Sequence, residues 1–244
     1  MIDSWRYIPL IEASGQIQMS IDLYLLNKYI KGGYPSILRF YTWSPIAISL
    51  GYHQHNYPAH WNELAYEGKS LEIIRRPTGG RAVLHQGDLC YSLITEALPG
   101  SFRQGYMNIC QFLQLGWQSL GVNLNYGLEK KNYANHPSCF GTSTFADLVD
   151  NSGEKRIGSA QLRRKNAILQ QGSMSLGADS ELYKTVFQND PPTRINLSQS
   201  LIIKQLEESA AFCLKAKLVK QSLQDPEWEY ILSRITDKLH IVNS

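Results

Sequence analysis

The run from Phe145 to Leu176 constrains the fold more than any other stretch. Phe145–Val149 and Lys155–Arg163 read as strands joined across Asn151-Ser152-Gly153, and Asn166–Leu176 continues the sheet. Asparagine and glycine supply the backbone angles of a tight turn, so these strands are antiparallel neighbours. Further strands are expected at Ser36–Trp43 and Ile46–Gly51, joined at Ser44-Pro45, and at Leu71–Arg75 and Leu89–Thr95, the last rich in β-branched and aromatic residues. Helical spacing appears at residues 18–31, where Met19, Ile21, Leu25, Leu26 and Ile30 form an apolar stripe ended by Gly32-Gly33. A second helix spans Tyr106–Leu120, weakened by Gly116 and stopped by Gly121, and a third spans Leu201–Leu214. A fourth opens with Asp225 as N-cap and Pro226 at the first helical position, and turns Trp228, Ile231, Leu232, Ile235 and Leu239 to one face. The expected class is α+β: one mixed, mainly antiparallel sheet with helices packed on it.

At 244 residues, with 43% apolar and 18% charged residues, the chain can bury an ordinary core. A net charge of +3 is too weak to argue for nucleic acid as a partner. No basic segment precedes an apolar run at the N-terminus, and no stretch is long and apolar enough for a membrane span, so a cytoplasmic protein is the simplest reading. Cys90, Cys110, Cys139 and Cys213 are widely spread without a C-x-x-C pair, which argues against a zinc or disulfide framework. Cys90, Cys110 and Cys213 sit among apolar residues and read as small buried hydrophobes. Cys139 differs: Pro137, Ser138, Gly141, Thr142 and Ser143 make its surroundings a loop. His53, His55 and His60 share another loop, but with no carboxylate or cysteine at useful spacing they read as surface histidines, and no metal is expected.

Two segments can carry chemistry. One holds Cys139 and, sixteen residues later, Lys155, followed by the small-residue run Gly158-Ser159-Ala160. The other is Arg75-Arg76-Pro77-Thr78-Gly79-Gly80-Arg81-Ala82-Val83-Leu84-His85. Thr78-Gly79-Gly80 is neither a phosphate loop nor a dinucleotide fingerprint. Paired glycines between strands usually make a turn, and Arg75, Arg76 and Arg81 fit either exposed strand ends or anion holders. Glycines also let a ligand lie against backbone, and His85 can donate to a carbonyl or phosphate oxygen. Taken alone, Cys139 fits a structural cysteine more readily than a nucleophile, because only a thiolate attacks and it needs a partner to form. Lys155 can be that partner, although a lone lysine at a strand start is normally solvated. No G-x-S-x-G elbow is present, and Asp88 and Asp147 read as isolated structural carboxylates.

The Arg75–His85 segment, taken with Gly153-x-Lys155-x-x-Gly158-Ser159-Ala160-Gln161, resembles the lipoate/biotin protein ligase and octanoyltransferase superfamily. Met19-Ser20-Ile21-Asp22, Arg39-Phe40-Tyr41-x-Trp43 and Ser49-Leu50-Gly51-Tyr52-His53-Gln54 fit the same pattern, and together the motifs cover roughly residues 5–185. Cys139-Phe140 upstream of the lysine resembles the LipM-type octanoyltransferases. In LipB-type enzymes the cysteine follows the lysine, at the place held here by Ile168, so the nucleophile is expected at Cys139. Gln171 stands where relatives often have histidine, His136-Pro137-Ser138 departs from the pattern, and the biotin-ligase Gly-Arg-Gly-Arg loop is absent.

The resemblance implies a fold similar to the class II aminoacyl-tRNA synthetase and biotin synthetase catalytic core. It implies an acyltransferase catalytic domain over residues 1–190 and a C-terminal helical extension of the same domain over 191–244. The implied reaction moves an octanoyl group from octanoyl-acyl carrier protein, through a Cys139 thioester, to a lipoyl-domain lysine of an acceptor such as the glycine cleavage H protein. Lys155 is the second catalytic residue, and Arg76, Thr78, Gly79, Gly80, His85, Gly158, Ser159 and Ala160 are the substrate-binding residues. No cofactor, nucleic acid or membrane is implied, and the protein is expected to be a monomer. The alternatives are an ATP-dependent lipoate-protein ligase, an octanoyl amidotransferase between lipoyl domains, and a module that only binds lipoylated domains.

Overall fold

A computed structural model describes residues 3–97, 100–127 and 146–242, so Cys139 and its loop lie outside the described residues. The chain runs through β1 (Asp3–Ala13), α1 (Gly15–Ile30), β2 (Ile37–Trp43) and β3 (Ala47–Leu50), then a 3-10 turn at Ala59–Glu63. The short strands β4 (Ala65–Tyr66) and β5 (Lys69–Ser70) form a hairpin, followed by β6 (Glu72–Arg75), β7 (Val83–His85) and β8 (Asp88–Glu96). Next come α2 (Phe102–Ser119), β9 (Leu124–Tyr126), β10 (Leu148–Asp150), β11 (Lys155–Arg164) and β12 (Ala167–Ser175). The chain closes with α3 (Ser180–Phe187), α4 (Gln199–Cys213), β13 (Ala216–Lys220) and α5 (Asp225–Val242).

Eight strands form the main sheet in the order β13-β1-β2-β8-β12-β11-β10-β9. β1 pairs parallel with β13 and β2, and every other pairing is antiparallel, so the expected mixed, mainly antiparallel α+β class holds. The expectation of a single sheet does not. β3 leaves the main sheet after Ser44-Pro45 and becomes the centre of a second one, ordered β6-β3-β7. Helices α2 and α4 cover one face of the main sheet around Phe112, Ile202 and Leu206. Helices α1 and α5 cover the other around Ile21, Leu25 and Ile231. The second sheet has its own core with α3 and the 3-10 turn, in which Trp61 is fully buried and donates to the Val186 carbonyl at 2.9 Å.

Local chemistry sets the ends of these elements. Ser14 caps α1 by accepting from the Ile17 N–H, and Asp179 caps α3 by accepting from Leu182. Helix α5 starts at Asp225 itself, one residue before the expected point, and the Glu227 carboxylate reaches back to accept from the Gln224 N–H at 2.7 Å. Among the described residues no helix is long and apolar enough to cross a membrane. The two sheets meet where β2 runs toward β3 and where β7 turns through Gln86-Gly87 into β8, and the candidate site occupies that junction.

Candidate active site

The Arg75–Arg81 loop is shaped by its own arginines. Arg75 donates to the carbonyls of Gly51, Tyr52 and Gln54. Arg76, only 8% exposed, donates to the carbonyls of Ser49, Gly79 and Arg81 at 3.0, 2.6 and 2.8 Å. A guanidinium satisfied by backbone oxygens makes Arg76 a staple of the loop rather than an exposed strand end. The loop lies so close to β3 that a Cβ on Gly51 would stand 1.9 Å from the Gly80 carbonyl oxygen, which only glycine avoids.

Strands β11 and β12 make the facing wall. Their register sets Gly158 opposite Ser173, Ser159 opposite Gly172 and Ala160 opposite Gln171. Gly172 is obligatory, since a Cβ there would stand 2.2 Å from the Tyr91 ring. Tyr91 shares a 2.8 Å hydrogen bond with Ser159 and accepts from Gln170 at 2.7 Å. Gln171 ties the glycine loop to α1: it accepts from the Thr78 hydroxyl at 2.8 Å and donates to Asp22. Asp22 in turn pairs with the fully buried Arg39 at 2.7 Å, whose guanidinium also donates to Gln18. This buried chain holds Thr78, the sheet and α1 in one register.

A third group of polar side chains lies at the base of the cleft. His85 stacks on Trp43 with ring centroids 3.9 Å apart. Its Nδ1 lies 2.8 Å from Asp88 Oδ2 and its Nε2 lies 2.8 Å from Ser49 Oγ. Cys90 Sγ is 3.2 Å from the same Asp88 oxygen and 3.5 Å from His85 Nδ1, and Ser173 Oγ donates to that oxygen at 2.7 Å. Burial opposes ionisation of Asp88, but His85 and the hydrogen bonds from His85, Ser173 and Cys90 outweigh it and hold the carboxyl below its ordinary range. Burial, with the Asp88 charge behind it, pushes the Cys90 thiol well above its ordinary value. Cys90 is buried among Met19, Tyr41, Trp43 and Ala47, as expected of a small hydrophobe, but its sulfur also meets this polar group, and Asp88 is not isolated.

These groups enclose one cleft with about 450 Å³ free of protein atoms, part of it open to solvent. Of the residues singled out in the sequence, Arg76, Gly80, His85, Gly158, Ser159 and Ala160 line it together. Thr78 and Gly79 hold its rim from behind through Gln171 and Arg76. Lys155 begins β11 three residues before Gly158, beside a register shift in the pairing with β10, and is not among the residues that line the cleft. Contrary to the expectation of a solvated side chain, it is 5% exposed and pairs with Asp147 at 2.9 Å, so Asp147 is not isolated either. Cys139 lies outside the described residues. His53, His55 and His60 are exposed, as expected of surface histidines.

Sequence reasoning had not singled out Cys90, Gln171 or Ser173 as site residues, yet all three line the cleft. The signal was present as His85-x-x-Asp88-x-Cys90 across a glycine turn, hidden because Cys90 read as one apolar residue in an apolar strand.

The model of the lipoyl protein ligase A/B catalytic domain matches residues 14–212. Proteins named octanoyltransferase LipM are similar over most of their length. The one from Halalkalibacterium halodurans is 36% identical over 80% of this chain and 73% of its own. That of Brevibacillus brevis is 37% identical over 74% and 69%, and that of Bacillus subtilis 35% over 73% and 68%. Among solved structures, a lipoate-protein ligase A bound with ATP superposes with a TM-score of 0.77 at 20% identity, covering 96% of this chain and 95% of that one. A bi-partite lipoate protein ligase from Thermoplasma acidophilum, solved with its E2 lipoyl domain, gives 0.72 at 17% identity over 98% and 93%. With the fold shared at that level and the family model spanning the cleft from both walls, this chain belongs to the lipoyl protein ligase A/B catalytic domain family.

Proposed function

We propose that the chain is an octanoyltransferase of lipoate biosynthesis that takes octanoyl groups from acyl carrier protein and delivers them to a lipoyl-domain lysine. The observation that carries this reading is the convergence of Arg76, Gly80 and His85 with Gly158, Ser159 and Ala160 around one cleft, completed by the apolar Met19, Tyr41, Trp43 and Val83. An acyl chain gains about 0.8 kcal/mol for each methylene it buries, so a cleft with apolar walls can select chain length by depth. Similarity to proteins named octanoyltransferase LipM favours octanoyl as the group moved.

In the proposed reaction the Cys139 thiolate attacks the thioester carbonyl, a new carbon–sulfur bond forms, and the carrier leaves as a thiol. The acceptor amine then attacks the enzyme thioester, forming the amide as the bond to Cys139 breaks and the thiol is restored. Lys155 orients the carbonyl and relays the proton between the leaving and entering groups. Backbone at Gly79, Gly80 and Gly158 holds the oxyanion. One thioester replaces another and an amide then forms downhill, so the reading needs neither ATP nor a cofactor. It carries with it a cytoplasmic monomer and, as acceptor, a protein such as the glycine cleavage H protein.

Incubation with octanoyl-acyl carrier protein should give a hydroxylamine-sensitive adduct one octanoyl group heavier, absent from Cys139→Ser. Lys155→Ala should slow both formation and discharge of that adduct by about a hundredfold or more. If Cys139→Ala modifies the apo acceptor at an undiminished rate with ATP and free lipoate, the chain is a ligase and the transfer reading is lost. If the adduct forms from an octanoylated lipoyl domain and not from acyl carrier protein, the donor assignment is lost instead.

A further inference from the structure

We propose that His85 Nδ1, Asp88 Oδ2 and Cys90 Sγ form a binding site for a borderline divalent metal, zinc or cobalt, with the fourth coordination position facing the cleft. The three residues are the only group of this kind among the described residues. Imidazole, carboxylate and thiolate together suit such ions, and three protein ligands with one open position are the arrangement of reactive zinc sites.

The distances support coordination with little rearrangement. Metal–ligand bonds of about 2.0 Å to oxygen, 2.05 Å to nitrogen and 2.3 Å to sulfur, at tetrahedral angles, put the ligand atoms about 3.3 Å (N–O), 3.5 Å (S–O) and 3.6 Å (S–N) apart. In the structure the same pairs stand at 2.8, 3.2 and 3.5 Å. Opening the triangle by half an ångström or less on each side, through side-chain rotation, admits the ion. Charge also balances. Asp88 Oδ2 lies against three donors, His85, Cys90 and Ser173. A divalent ion displaces the thiol proton and takes the imidazole in its Nε2–H tautomer, which leaves a neutral site with Asp88 and Cys90 as its two anions. A neutral complex avoids the cost of an uncompensated charge in a buried place.

The surroundings already have the form of a supporting shell. With Nδ1 on the metal, Nε2–H donates to Ser49 Oγ, the neighbour it has at 2.8 Å. Trp43 fixes the plane of the ring from one side. Arg76 donates to Ser49 Oγ, and its guanidinium is engaged by the carbonyls of Ser49, Gly79 and Arg81. His85, Cys90 and Ser173 line the cleft while Asp88 does not, so the ion would sit at the floor with its open position toward the void.

Cobalt titrated into the full chain tests the site without reference to acyl transfer. The expected spectrum has visible ligand-field bands of tetrahedral intensity and a thiolate charge-transfer band, both displaced by zinc. Calorimetry in buffers of different ionisation enthalpy should register proton release. Cys90→Ser should lose the charge-transfer band and weaken zinc binding about tenfold or more, and Asp88→Asn should weaken it similarly. Cys139→Ser should keep the band. Independently, zinc should protect Cys90 of the wild-type protein from alkylation, a readout that needs no variant to fold. Absence of a tetrahedral cobalt spectrum overturns the site, and so does a band that survives Cys90→Ser or disappears with Cys139→Ser.

Discussion

Arg39 shows how far a single residue can be read from sequence and where that reading stops. It was legible as part of a motif, Arg39-Phe40-Tyr41-x-Trp43, but nothing in its spacing says that its guanidinium is fully buried against Asp22 and Gln18. Removing it alone leaves the Asp22 carboxylate buried without its cation. Arg39→Met should therefore cost about 3–5 kcal/mol, measured as a fall in the urea midpoint at constant slope. Adding Asp22→Leu removes the stranded charge and should recover part of that loss. If the double variant is as unstable as the sum of the two singles, the pair is not the cause. Lys155 and Arg76 belong to the same lesson. Each was visible as a charged residue in a suggestive place, and each was expected at the surface or left open to it. Burial of a charge is decided by the partner that folding brings to it, Asp147 for the lysine and the carbonyls of Ser49, Gly79 and Arg81 for the arginine. Periodicity carries no record of such partners.

Elements built from local signals were the more legible ones, and α5 supplies a measurement of how one of them is held. Arg6 on β1 donates to both Glu227 oxygens, at 2.8 and 2.7 Å, and Tyr34 donates to the same carboxylate at 2.6 Å. Burial raises the cost of ionising Glu227, but the bonds from Arg6, Tyr34 and the Gln224 N–H more than offset it and bring the carboxyl down from 4.5 to about 2. A depressed carboxyl stabilises the folded chain in full above its unfolded value, and that contribution is lost as pH falls from about 4.5 toward 2. The stability gap between wild type and Glu227→Gln should hold steady above pH 4.5 and close through that window. A gap that stays constant down to pH 2 would show that the carboxylate does not hold α5 through its charge. Helices α1, α2, α4 and α5 were readable because caps and apolar stripes lie within a few residues of each other, whereas α3, only eight residues long, was not singled out. β1 was not, because it changes environment midway. Trp5–Ile8 are continuously buried between β13 and β2, and after Pro9 exposed and half-buried residues alternate, with the pairing to β2 shifting register between Ile8 and Ile11. β7 and β9, three residues each, are too short for any period to register. Departure of β3 into a second sheet is a tertiary choice, and a strand sequence reads the same in either sheet.

At the scale of the whole molecule the open question is whether residues 191–244 are an appendage or part of the fold they follow. β13 is the edge partner of β1 in the main sheet. Ile202 and Leu206 on α4 are fully buried in the core shared with α2, while Leu223 and Ile231 pack in the core shared with α1. Burying such a side chain is worth about 1.5–3 kcal/mol, so these four together approach the 5–15 kcal/mol that holds a whole domain together. A chain ending at Asp190 should therefore lose cooperative unfolding altogether and expose apolar surface, seen as dye binding and aggregation. The full chain should unfold in one transition with coincident helix and tryptophan signals. A truncated chain that melts sharply would make the segment a true appendage. Single-transition behaviour would have a consequence for the cleft. α1 carries Met19 at the cleft and Asp22 in the chain that reaches Thr78, and α1 is backed by α5, so the C-terminal segment would support the site through the element that lines it.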